Sequence, residues 1–210
     1  MVLVLSSMIH SRDISTAIQR FRQHGGTLRT RQALDLGIHP ATLYSLRDSG
    51  RLIELARGLY RLAEAPESSD PHLAIVAARA PSAAVCLVSA LSFHKITTQV
   101  PAAVYLAVPR GSYARITLNP LPVKVFRFNA KSFELGLEAH DFGGRPLRVY
   151  NPARAVVDCF KFRNKLGIDV AIESLRLARE QEDASIKELI HIARALRVER
   201  VMQPYLQSIA

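Results

Sequence analysis

Metal-dependent cleavage of a phosphodiester needs two carboxylates and a lysine. The usual pattern is an Asp followed at a distance by Glu-x-Lys around a divalent ion. Glu138, Asp141 and Asp158 are acids in the right half of the chain, but no Glu-x-Lys occurs in its 210 residues. Ser89, Ser92 and His94 lie close together. A Ser and a His five apart do not meet on a helix, and no Gly-x-Ser-x-Gly elbow is present. Cys86 and Cys159 sit in apolar runs and read as buried free thiols of a reducing compartment. No CxxC or Cys/His cluster offers a zinc site. Gly111 lacks the glycine partners of a phosphate loop. The expectation is a protein that is not an enzyme and holds no cofactor and no metal.

Residues suited to gripping nucleic acid are concentrated between Thr27 and Leu62. Thr42 and Ser45 are small polar side chains at helical spacing, the kind that lets a helix approach base edges in a major groove. Tyr44 beside them can reach a sugar or a phosphate, or pack into the core. His39 would lie at the tip that enters the groove. Arg29, Thr30 and Arg31 would open the preceding helix, where free backbone N–H groups and positive charge favour a phosphate. Arg51, Arg57 and Arg61 flank a turn that can reach the neighbouring backbone or groove. Arg57 is the firmest of these, because a tip arginine has no core to fill. Asp48 would repel phosphate and belongs beyond the groove, and Arg47 suits a structural salt bridge.

The elements that must position these groups follow from the punctuation of the same stretch. Ile14, Ala17, Ile18 and Phe21 repeat at helical spacing, so a helix capped by Asp13 or Ser15 runs to about His24 and stops at Gly25-Gly26, with residues 1–12 as a leader. Thr27–Arg29 is short and extended. Thr30 suits the N-cap of a helix over Arg31–Leu36, with Ala33, Leu34 and Leu36 facing inward. Gly37 ends it in a left-handed turn. Pro40 opens the next helix, which stops at Gly50, with Leu43 and Leu46 inward and Thr42 and Ser45 outward. Arg51–Leu55 and Leu59–Leu62 form a hairpin around Ala56-Arg57-Gly58. Helix, turn, helix and hairpin in this order make a winged helix-turn-helix. Gly37, Pro40, Leu43, Leu46, Gly50 and Gly58 carry that reading together.

Composition agrees with an anionic partner. Lys and Arg number 28 against 18 Asp and Glu, the net charge is +10, and hydrophobic residues make up 49%. Most of the cations are Arg, whose planar fork suits phosphates and guanine edges. The charge is spread along the chain, so folded surfaces rather than a basic tail must supply a footprint. Met1–Leu5 is too short for a signal peptide. Ala80–Phe93 and Ile96–Pro109 are the longest uncharged runs, and at about 14 residues they fall short of the ~18 that span a bilayer. A cytoplasmic protein that does not insert in membranes is expected.

Ala63–Pro71 reads as a linker, rich in Pro, Ser and acid. It separates a DNA-binding domain at 13–64 from a second domain at 72–210. In the latter, helices are expected at His72–Ala80 and Ser82–His94. Strands follow at Val104–Val108, Arg115–Leu118, Val123–Phe128 and Leu147–Tyr150, with a hairpin turn at Gly143-Gly144. Helices then cover Pro152–Leu166, Asp169–Gln181, Ser185–Leu196 and Val198–Ser208, the third with a Ser185/Glu188 capping box. The fold class is therefore α+β: an N-terminal winged helix-turn-helix, then a mixed α/β domain with a helical C-terminal part. Arg110, Arg115, Lys124 and Arg127 form an auxiliary basic set around the strands, near Tyr113, Phe126 and Phe128. Arg115, Lys124 and Arg127 could share one sheet face, as a nucleic-acid surface or as a solvated face. Lys161, Arg163 and Lys165 read as a solvated helix end. Arg154 and Asp158, four apart, pair along a helix if exposed, or fix its seat on the sheet if buried.

The run TRQALDLGIHPATLYSLRDSGRLIELARGLYRL resembles the N-terminal winged-helix domain of AbiEi-type antitoxins of type IV toxin–antitoxin systems. VCLVSALSFHKITTQVPAAVYLAVPRG and NPARAVVDCFKFRNKLGIDVAIESL resemble later segments of that family, the second with an Arg and an Asp (here Arg154 and Asp158) opening a helix. The resemblance spans roughly residues 15–180. It implies a transcriptional autorepressor that binds its own operator as double-stranded DNA. It also implies a neighbouring gene for a nucleotidyltransferase-like toxin. Alternatives are a basic protein-interaction or RNA-binding module and a metal-dependent nuclease.

Overall fold

In a computed structural model the described residues are 2–65, 70–112, 116, 118, 121–142 and 145–208; for residues 2–12 the description covers the backbone only. The chain divides into two compact units. The first comprises Met1–Ala80, Leu118–Pro120 and Asp141–Pro146, and the second Pro81–Thr117, Leu121–His140 and Leu147–Ala210.

The first unit contains helix α1 (Val2–Gln23), strand β1 (Thr27–Arg29), helices α2 (Thr30–Asp35) and α3 (Pro40–Asp48), and strands β2 (Leu52–Ala56) and β3 (Leu59–Leu62). Helix α4 (Pro71–Arg79) also belongs to it. The strands form an antiparallel sheet in the order β1-β3-β2. Ala17 and Phe21 of α1, Leu28 of β1, Ala33 of α2, Leu43 and Leu46 of α3, and Leu52, Tyr60 and Leu62 of the hairpin close one core, with Ile38 as the plug between the two short helices. The first helix starts at Val2, well before Asp13, because neither Gly nor Pro interrupts the chain up to Gly25. Leu34 is exposed, which differs from the inward side expected for it; Ala33 alone is fully buried on the six-residue α2. The linker expectation concerns Ala63–Pro71, of which residues 66–69 lie outside the described ones. At its end Asp70 caps α4, its Oδ1 accepting from the N–H groups of His72 and Leu73 at 2.8 and 3.2 Å.

The second unit is built on strands β4 (Ala84–Val85), β5 (Val104–Pro109), β6 (Val123–Phe128), β7 (Leu137–Asp141) and β8 (Pro146–Tyr150), in the order β6-β5-β4-β8-β7. Helices α5 (Leu87–Phe93), α6 (Ala130–Glu134), α7 (Pro152–Lys161), α8 (Arg163–Leu166), α9 (Ile168–Glu180), α10 (Ile186–Ala195) and α11 (Glu199–Ser208) complete it. The helix expected over Ser82–His94 is a strand followed by a helix. Residues 83–91 are buried throughout, and a continuous apolar run carries no period by which to tell the two apart. Ala84-Val85 is a central strand, antiparallel to β5 and parallel to β8. The expected strand Arg115–Leu118 and the Gly143-Gly144 turn fall largely outside the described residues. Ser185 caps α10, accepting from the Glu188 N–H at 3.2 Å. The Glu188 carboxylate does not turn back on the cap; it accepts from Asn151 Nδ2 at 2.9 Å and so ties α10 to the start of α7.

Arg154 and Asp158 on α7 are both fully buried. Arg154 donates from Nε to Asp158 Oδ2 at 2.9 Å and from Nη1 to the carbonyls of Ser132 and Leu135, both at 2.6 Å. Its guanidinium lies 4.2 Å from the Tyr150 ring centroid and 5.1 Å from that of Phe128. The pair thus fixes how α7 meets β6, β8 and the α6 corner. Burial pushes the Asp158 carboxyl up to about 6 against the opposing pull of Arg154.

Candidate nucleic-acid interface

The wing turn is held from three sides. The Thr30 N–H donates to the Gly58 carbonyl at 2.9 Å, and Thr30 Oγ1 reaches the same oxygen at 3.4 Å. The Gly58 N–H donates to Glu54 Oε1 at 2.9 Å. Arg79 of α4 donates from Nη2 to the Arg57 carbonyl. Gly58 adopts φ +72°, and a Cβ there would lie 3.0 Å from Thr30 Oγ1. The turn therefore needs glycine both for its left-handed backbone and for the close approach of α2. These bonds fix the backbone of Arg57 and leave its side chain exposed.

Helix α3 begins at His39, whose Nδ1 accepts from the Ala41 N–H at 3.2 Å, with Pro40 at the first helical position. His39 is thus the cap of the helix as well as an exposed residue at its tip. Tyr44 is 42% exposed and Ser45 is half-buried. Thr42 is only 5% exposed, so the outward position expected for it is corrected. At ~100° per residue it lies about 70° from the line through Leu43 and Leu46 and packs with them. Arg47 forms the expected structural salt bridge. It donates to Asp48 Oδ1 from Nε at 2.9 Å and Nη2 at 2.8 Å, and covers the Tyr44 ring at 5.0 Å. Asp48, the acid at odds with a phosphate surface, is neutralised within its own helix.

The expected cluster at the start of α2 is rearranged. The capping position is Arg29 rather than Thr30. Its N–H donates to Gln32 Oε1 at 3.1 Å, and the Thr30 N–H is taken by Gly58, so neither is free for a phosphate. Arg31 is exposed. Arg29 is half-buried and donates from Nη2 to the Ala78 carbonyl of α4. Arg61 is 7% exposed in the middle of β3, between Thr27 and Ile53 of its two neighbouring strands. It is a core-sheet residue and not a wing-tip contact, because β3 is the central strand. Arg51 is exposed at the entry to the hairpin.

Two cations here are invisible in the sequence. Arg79 lies beyond the linker, and Arg145 is more than a hundred residues from α2. Arg145 donates from Nη2 to the Thr27 carbonyl at 2.7 Å and to Gln32 Oε1 at 3.1 Å. Burial, and then the charge of Arg79, lowers the pKa of Arg29; burial, and then the charge of Arg29, lowers that of Arg145. Arg29, Arg79 and Arg145 all donate to neutral carbonyl and amide oxygens, which leave their charge in place, so the three positive charges reinforce one another.

In the second unit the auxiliary set divides. Lys124 and Arg127 are an odd number of residues apart on β6 and so project from opposite faces of the sheet, which corrects the shared face expected for them. Arg115 lies outside the described residues. Arg110 is exposed just after β5. Among the described residues no group of His, Cys, Asp and Glu could hold a metal, and no helix is long and apolar enough to cross a membrane.

Residues 15–63 match the model of a family described as "Transcriptional regulator, AbiEi antitoxin". The fold is similar to that in the crystal structure of the RV2827C protein from Mycobacterium tuberculosis. The TM-score is 0.54 at 16% sequence identity, over 88% of this chain and 70% of that one. No curated protein matches the chain in sequence.

Proposed function

Taking the family match over residues 15–63 as the premise, we propose that this protein is a DNA-binding transcriptional autorepressor and the antitoxin of a type IV toxin–antitoxin system. The observation that carries the reading is the exposed polar side of α3 next to a braced wing. In this arrangement α3 enters a major groove, with Ser45 and Tyr44 towards the DNA and His39 at its tip. Arg57 reaches the adjacent groove or backbone, and Arg31 and Arg51 take phosphates. The partner is double-stranded DNA of the protein's own operator, and the place of action is the cytoplasm. The toxin it counters is a nucleotidyltransferase-like protein encoded next door. In this reading the protein is a regulator and not an enzyme.

The test is a gel-shift titration with DNA from upstream of the gene. Wild-type protein binds it with steep salt dependence. The double variant Ser45→Ala/Arg57→Ala binds at least tenfold more weakly. Unchanged affinity would exclude this docking. Co-expression with the product of the adjacent reading frame then tests the antitoxin role by growth rescue.

A further inference from the structure

We propose that the second unit carries a platform for single-stranded nucleic acid, made of the Tyr105, Phe126 and Phe162 rings and the ammonium groups of Lys124, Lys161 and Lys165. Strand β6 is the last strand of the five-stranded sheet, parallel to β5, with Tyr105 directly opposite Lys124. Alternation along β6 puts Lys124, Phe126 and Phe128 on one face. On that face the Tyr105 and Phe126 rings lie almost parallel, 20° apart in plane with centroids 5.8 Å apart. Phe162, between α7 and α8, meets Phe126 edge-on at 5.1 Å and Phe128 at 5.8 Å. Phe128 is buried, while Tyr105, Phe126 and Phe162 are half-buried.

The cations sit on these rings. Lys124 Nζ is 5.2 Å from the Tyr105 centroid and 3.3 Å from its hydroxyl. Lys165 Nζ is 5.9 Å from the centroids of both Phe126 and Phe162, and Lys161 Nζ is 5.9 Å from that of Phe128. Among the described residues no carboxylate forms an ion pair with any of the three. Asp158, whose charge Lys161 feels, is fully buried and bonded to Arg154. Burial lowers the pKa of Lys161, and a phosphate beside it would raise it again.

Ammonium groups lacking carboxylate partners, set around ring surfaces, match a backbone of phosphates carrying unstacked bases. A duplex keeps its base faces stacked and has no use for the rings. A protein partner is disfavoured because lysine is depleted from protein interfaces. Single-stranded RNA and DNA share this chemistry. The platform lies in the second unit and unites two basic sets that are far apart in sequence, Lys124 on one side and Lys161 and Lys165 on the other.

Fluorescence anisotropy of the full chain tests it. The probes are a labelled mixed-sequence single-stranded RNA, the same sequence as single-stranded DNA, and the matching DNA duplex. Single strands should bind, and a preference between RNA and DNA identifies the natural strand. Lys124→Gln/Lys165→Gln should lower the slope of log K against log salt by about 1.4, roughly 0.7 for each phosphate that is no longer neutralised. Tyr105→Leu should weaken binding roughly 5- to 150-fold. Lys187→Gln, exposed on α10, should change nothing. Circular dichroism melts establish that each variant is folded, and the lysine pair decides the matter if Tyr105→Leu is not. The proposal is overturned if single strands fail to bind at low salt, or if the platform variants behave like Lys187→Gln. It is equally overturned if the duplex binds as tightly and loses as much.

Discussion

Replacing Gly58 by Ala tests the bracing of the wing, and Gly50→Ala is its control in the same unit. Both glycines have φ +72°, so both substitutions carry the same left-handed penalty, about 1–2 kcal/mol for an L-residue. Both also gain the same reduction in unfolded-state entropy, roughly 0.4–1 kcal/mol. Around Gly50 a new Cβ meets nothing within 4 Å, whereas at Gly58 it meets Thr30 Oγ1 at 3.0 Å. The Thr30 hydroxyl must move a few tenths of an ångström and release its 3.4 Å bond to the Gly58 carbonyl. So long a bond is worth the low end of the usual ~0.5–1.5 kcal/mol. With the displaced hydroxyl, Gly58→Ala should cost about 1 kcal/mol more than Gly50→Ala. Urea titration of the pair reads this difference directly. The functional readout is operator affinity. Gly58→Ala shifts the turn that carries Arg57 and should approach the loss seen in Arg57→Ala, while Gly50→Ala should bind like the wild type. Equal stability and equal affinity of the two glycine variants would show that the contact between α2 and the wing holds nothing in place.

Three further outcomes follow from the same geometry. Arg31→Ala and Arg57→Ala should each lower the salt slope of operator binding by about 0.9 for every phosphate the arginine neutralises, and a slope that stays at the wild-type value removes that residue from the interface. Arg154→Met breaks a buried pair and should destabilise the second unit by roughly 3–5 kcal/mol in denaturant titration; a cost near zero would mean that the pair does not hold α7 on its sheet. Asp158 sets a pH dependence. Its native pKa of about 6 lies above the unfolded value of ~4. The native state therefore holds the extra proton between these values. The stability it contributes is fully present below about pH 4 and is lost as pH rises through about 6. Measured against Asp158→Asn, the wild type should lose roughly 3 kcal/mol between pH 4 and 8, and a constant difference across that range refutes the raised pKa.

Thr42 and Ser45 show where a sequence stops being enough. The punctuation of residues 25–62 locates the helix, turn, helix and hairpin, because Gly, Pro and the caps act through local backbone geometry. Side-chain direction is a finer matter. Thr42 and Arg47 flank the Leu43/Leu46 line at the same angle, about 70° by helix geometry. One is buried and the other covers Tyr44, and only the neighbouring elements decide which. Arg61 shows the same limit in a strand. Alternation alone leaves it outward, but pairing with both β1 and β2 makes β3 central and buries all four of its residues. Arg79 and Arg145 reach the start of α2 and the wing across long sequence separations, which no local pattern encodes. In the second unit the missed strand β4 arose from an apolar run with no period, and the lysines of β6 and α7–α8 meet only because the sheet brings them together.

The contrast between Thr42 and Ser45 can be put to experiment, and it separates two orientations of α3. If helical spacing of small polar residues defines the groove face, Thr42→Val should weaken operator binding as much as Ser45→Ala. The structure requires a different result. Thr42, 5% exposed among Leu43 and Leu46, should accept Val with operator affinity unchanged, because its side chain lies on the core side of the helix. The stability change should stay within about 1.5 kcal/mol, the upper end of the net worth of one hydroxyl hydrogen bond. Ser45→Ala should lower affinity at unchanged stability. Gel-shift titrations and urea melts of the two variants decide it, and a weaker operator complex for Thr42→Val would mean that α3 is rotated from the orientation described.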